Sequence, residues 1–170
     1  MSISEELSKF IVESKVPLET KNTSKLYVLD WIGSCIAGND SEPSKITSKI
    51  AQLLGGHPKS TILSTGLKTS APLAAFSNAA SSHVVEMDDL DRTSISHPGA
   101  PIIATALAVA EEINASFDEL IESIAIGYEV GIRTGESLGT SHYQNWHTTG
   151  TAGTMGSVAT ACRLYKLDIS

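Results

Sequence analysis

Nine residues, IIATALAVA at positions 102–110, constrain the fold more than any other stretch, because as a helix they present no polar face. A helix that is apolar all round must be surrounded by other elements to stay out of water. The run therefore predicts a central helix, starting at Pro98 or Pro101 and ending near Ile113. The rest of the chain offers helices to surround it. Glu5 to Ser14 carries Leu7, Phe10 and Ile11 on one face and ends before Pro17. Asn22 to Ala37 places Leu26, Leu29, Ile32, Cys35 and Ile36 at three- and four-residue steps, which predicts its buried stripe, and Gly38-Asn39-Asp40 closes it. Ser44 to Leu54 is stopped by Gly55-Gly56, and Pro72 to about Val85 is lined with small residues that permit close approach.

Beyond the central run, Ser116-Phe117-Asp118-Glu119 has the S-x-x-E form of a capping box. Phe117, Leu120, Ile121, Ile124, Tyr128 and Ile132 then predict one buried helical face. A last helix from near Gly150 spaces Gly153, Gly156 and Ala159 by three. STIL at 60–63 is the one strand-like piece, followed by a turn at Gly66. The reading is an all-α helical bundle, a single domain over 1–170 without repeat, linker or low-complexity segment.

The bulk properties narrow the class. A net charge of −7 argues against nucleic acid or an anionic membrane surface as partner. No run of about 18 apolar residues could span a membrane. The start, MSISEELSKF, has neither a basic region nor an apolar run, so no signal or transit peptide is read there. Cys35 and Cys162 lie in apolar segments without metal-like spacing and read as reduced thiols of a cytoplasmic protein.

Chemistry concentrates in HVVEMDDLDRTSISHPG, residues 83–99, which holds two histidines and four carboxylates around a single Arg92. His83, Glu86, Asp88, Asp89 and His97 could ligate a divalent ion, although neither H-E-x-x-H nor a calcium-loop pattern is present. A solvated acidic loop is the plain alternative, but the stretch lies between the most apolar helices and ends in His-Pro at a helix start. Pro98 at the first helical position makes His97 the cap, where the helix dipole disfavours a charged imidazole and favours a neutral general base. His147 stands likewise before the glycine-rich last helix, and two such helix starts facing one pocket offer N–H donors to a carboxylate ligand. His83 by itself reads as structural. Ser141 and His142 lack a nucleophile elbow, and GTAGTMG lacks the lysine of a phosphate loop, so no cofactor is expected.

The ordered segments LAAFSNAASSHVVEMDD, SHPGAPIIATALAVAEE, AIGYEVGIRTG and NWHTTGTAGTMGSVATACRLYKLD resemble the 2-methylcitrate dehydratase / cis-aconitate decarboxylase (MmgE/PrpD) family, from LYVLDWIGSCIAG onward. The resemblance implies a metal-independent carbon–oxygen lyase (hydro-lyase) or isomerase of small di- and tricarboxylates. It also implies a large all-α domain followed by an α+β lid domain, and a homodimer. Carried over by motif, it places Glu86, Asp88, Asp89, His97 and His147 in the catalytic site. Ala79 stands where a glycine is common, and Leu90 or Asp91 where Thr or His is common. Relatives run to well over twice this length, so the chain is expected to be a truncated or half-subunit form without the C-terminal lid, inactive alone. Between Lys68 and Arg163 the only fixed cations are Arg92 and Arg133. The expectation follows that a carboxylate substrate needs cations from elsewhere, from a lid or a complementing C-terminal chain.

Overall fold

The computed structural model describes residues 2–169. Over these it has seven helices: α1 (Ile3–Glu13), α2 (Leu18–Ala37), α3 (Glu42–Leu54), α4 (Ala71–His83), α5 (Gly99–Ile113), α6 (Phe117–Tyr143) and α7 (Thr148–Leu164). The strand-like piece contributes only β1 (Ser60–Thr61), paired antiparallel with β2 (Lys68–Thr69), so the fold is all-α apart from one small hairpin.

The apolar run does what its composition demands. In α5, Ile102, Ile103, Ala104 and Ala106 are wholly buried, and α5 packs against α2, α4, α6 and α7. Full burial of an isoleucine is worth about 1.5–3 kcal/mol, so this helix anchors the bundle. Close approach depends on small residues. A Cβ on Gly127 would lie 1.9 Å from Thr160 Oγ1, and one on Gly156 would lie 2.5 Å from Ile102 Cδ1. Those two glycines let α6 and α7 close on each other and on α5. The small residues of α4 are used through hydroxyls: Ser81 meets Ser44 at 2.6 Å, and Ser77 meets Ser48 at 3.0 Å.

Helix ends follow local rules where a side chain can cap. Ser116 accepts from the Glu119 N–H while Glu119 reaches back to the Ser116 N–H, as its capping box predicts, and Ser2 and Glu5 do the same for α1. At the other end of α1, the Arg163 guanidinium from α7 donates to the carbonyls of Ile11, at 3.1 Å, and Ser14, at 3.0 Å.

Three expectations are corrected. On α2 the buried residues are Ser24, Val28, Trp31, Ser34 and Cys35, whereas Leu26, Leu29 and Ile36 are exposed. The helix is apolar on two sides, and the side that turns inward is the one bearing the large indole of Trp31. Phe117 is exposed too, because it sits in the first turn of α6, ahead of the packed part. Finally, α2 begins at Leu18, four residues before Asn22.

Burial on α2 has a consequence for pH. It pushes the Cys35 thiol from 9.0 up to about 11. The native chain therefore keeps a proton that the unfolded chain has lost, so the stabilisation is full below about pH 9 and falls as pH rises to about 11. Urea unfolding at pH 8 and pH 11 should show wild type losing about 2 kcal/mol more than Cys35→Ala. Equal losses would refute the assignment.

Candidate active site

Between α4 and α5 the chain makes a tight excursion, residues 84–98, that carries most of the candidate residues. Its shape comes from Asp91. That carboxylate accepts from the Ser94 N–H and from the Thr93 and Ser94 hydroxyls, each at 2.8 Å. Burial works against its charge, but these hydrogen bonds prevail and hold the carboxyl below its ordinary value. The backbones of Asp91 and Ser96 pair across the excursion, which returns the chain toward α4 at His97.

The return brings histidines from three separate segments together. His83, the last residue of α4, has its ring centroid 4.9 Å from that of His97 and 5.8 Å from that of His147. Asp88 lies beneath two of the three rings. Its Oδ2 is 2.8 Å from His83 Nδ1 and its Oδ1 is 3.4 Å from His97 Nδ1, and its side chain is 1% exposed. The carboxylate is placed to orient the His83 imidazole through its 2.8 Å hydrogen bond, and it faces His97 Nδ1 without bonding to it. His97 is itself located from α7, since its backbone N–H donates to Thr149 Oγ1 at 3.0 Å. One hydrogen bond thus ties the approach to α5 to the first turn of α7.

His147 is the N-cap of α7 and its side chain makes no capping bond, which leaves the ring to stack on His83. At α5 the cap is Pro98 rather than His97. Pro98 already has helical dihedrals (φ −66°, ψ −33°) and its carbonyl accepts from the Ile102 N–H, so His97 lies just outside the helix. Both histidines remain at helix N-termini, where free N–H groups and the dipole favour an anion. His83 and His147 also line a shallow groove of about 420 Å³, whose walls include Phe76, Ala79, Ala100 and Gly150.

The three carboxylates of the motif have different places. Asp88 joins the histidines. Asp89, its neighbour, accepts instead from the Gly99 N–H at 3.0 Å and from the Tyr128 hydroxyl at 2.9 Å. A Cβ on Gly99 would lie 2.5 Å from Asp89 Oδ1 and 2.7 Å from the Tyr128 oxygen, so this clamp requires the glycine of His-Pro-Gly. Burial pushes the Asp89 carboxyl up, against these two hydrogen bonds. Tyr128 is raised well above 10.0, by its own burial first and then by Asp89. Glu86 is exposed at a turn with φ +52°, outside the cluster of His83, Asp88 and His97. His142 is held elsewhere, its Nε2 2.8 Å from Thr151 Oγ1, and His57 is exposed.

His83 was read from the sequence as structural, and its place beside His97 and His147 is the chief addition the structure makes. The one available signal was its spacing, five residues before Asp88 with a chain reversal between them.

Within an all-α bundle, the described residues thus gather three histidines and one buried carboxylate beside two helix starts. The model of the MmgE/PrpD N-terminal domain matches residues 5–170, and the chain belongs to that family, which includes dehydratases and other lyases. No curated protein matches it. Among the described residues no helix is long and apolar enough to cross a membrane.

Proposed function

We propose that the chain forms the histidine-bearing part of a carboxylate lyase. In this reading it removes water from 2-methylcitrate or a similar di- or tricarboxylate. One of His97 and His147 takes a proton from carbon beside a carboxylate, and the other delivers a proton to the leaving hydroxyl. The pairing of these roles is supported by one observation above all: both rings contact His83, and buried Asp88 lies against His83 and His97. Asp88 orients the His83 imidazole, Asp89 fixes the start of α5, and Glu86 stands at the open edge. Decarboxylation or epimerisation of such acids would use the same carbanion, and the assay separates the three.

Substrate carboxylates meet the N-termini of α5 and α7, but the nearby sequence supplies few cations. A second chain or lid is therefore proposed to bring them. The family resemblance adds a homodimer, and exposed Leu26, Leu29 and Ile36 on α2 with Ile46, Ile50 and Leu53 on α3 offer apolar surface for a partner. The test is incubation with 2-methylcitrate, citrate and cis-aconitate, alone and mixed with a lid domain of the family, following products by chromatography. Alone, turnover should stay far below the about 1 s⁻¹ of an ordinary enzyme, and the lid should restore it. Turnover at that rate by the chain alone would remove the need for outside cations, and sedimentation as a monomer in the active mixture would remove the dimer.

A further inference from the structure

We propose that His83, Asp88 and His97 bind a divalent transition cation of the zinc type, and that the ion acts there as an inhibitor. One ligand atom from each of the three side chains lies within 4.8 Å of the other two. The 3.4 Å between His97 Nδ1 and Asp88 Oδ1 is close to the edge of about 3.3 Å that separates ligands around a tetrahedral ion with bonds of about 2.0–2.1 Å.

A second observation points the same way. Asp88 Oδ1 and His97 Nδ1 are both buried without a hydrogen-bond partner although they face each other. Buried polar atoms are seldom left so, and an ion between them would satisfy both. His83 Nδ1 is already aimed at the same carboxylate. Two imidazoles with one carboxylate suit zinc and its neighbours, not the all-oxygen shells of magnesium or calcium.

The site can also be reached and left. The side chains of His83 and His97 are 26% and 17% exposed while His97 Nδ1 and Asp88 Oδ1 are buried, so an ion enters past the partly exposed rings. Each imidazole binds through Nδ1 in its neutral form with the proton on Nε2, so the contact of His83 Nδ1 with Asp88 gives way to the metal. The inhibitory consequence rests on the lyase reading: metal on His97 holds the ring in one tautomer and pins Asp88, which removes the proton transfer assigned to His97. The binding itself does not rest on that reading.

The experiment is titration of the untagged protein with Co²⁺, read by visible absorption and then by Zn²⁺ competition. One equivalent should bind with the spectrum of a four- or five-coordinate site. His83→Gln and Asp88→Asn should each weaken binding at least about tenfold, the scale for perturbed metal sites, while His57→Gln leaves it unchanged. Far-UV circular dichroism checks folding, and His83→Gln, at a partly exposed ring, carries the test if Asp88→Asn unfolds. No saturable binding, or binding unaltered in both His83→Gln and His97→Gln, overturns the proposal. Because no substrate enters the measurement, a chain that binds cobalt but turns over no carboxylate even when mixed with a lid domain sinks the lyase reading alone.

Discussion

In the active, lid-complemented protein, His97→Gln and His147→Gln should each lower turnover by about 10²-fold or more, the scale of a lost general acid or base. Glutamine keeps a hydrogen-bonding head of similar reach but cannot carry a proton on and off at neutral pH. The fold should tolerate both changes. His147 makes no capping bond, and His97 is located through its backbone N–H to Thr149, which the substitution keeps. Steady-state rates on the best substrate measure the effect, and exposed His57→Gln serves as the control. If either variant stays within a few-fold of wild type, that histidine has no proton-transfer role.

Asp89→Ala should destabilise the fold by about 2–4 kcal/mol, because it leaves the Gly99 N–H and the Tyr128 hydroxyl without their acceptor in a buried place. Tyr128→Phe removes only one of the two bonds and should cost about 1–2 kcal/mol. The sign with pH follows from burial, which raises the carboxyl. A raised acid contributes most below its unfolded value of 3.8 and progressively less as pH rises through its native value. The loss on Asp89→Ala should therefore shrink as pH is raised from about 4 toward neutrality. Chemical denaturation across that range decides it, and a loss that grows with pH would contradict the assignment. Because Gly99 stands two residues after His97, turnover should fall as well.

How far the sequence could be read differs between fold and site. IIATALAVA could only be a surrounded helix, and the capping box at Ser116 marked the start of α6 through local hydrogen bonds alone. Such signals do not depend on distant contacts. The face of α2 does: Leu26, Leu29 and Ile36 make as regular a stripe as Val28, Trp31 and Cys35, and only packing against α4, α5 and α6 selects the second. The helix-start histidines His97 and His147 were legible from Pro98 and from the glycine-rich segment. Which of two adjacent carboxylates would meet His97 was not. That depends on a turn with Glu86 at positive φ, and on Tyr128, thirty-nine residues away, claiming Asp89. His83 was hidden for the same reason, since its partners arrive only when the 84–98 excursion folds back.

The claim that a carboxylate ligand sits over the gathered histidines is tested most directly by carbethoxylation of histidines, mapped by mass spectrometry with and without saturating 2-methylcitrate in the complemented protein. Ligand should slow modification of His83, His97 and His147 together and leave His57 unaffected. Unchanged reactivity at all three, or protection confined to His57 or His142, would contradict it.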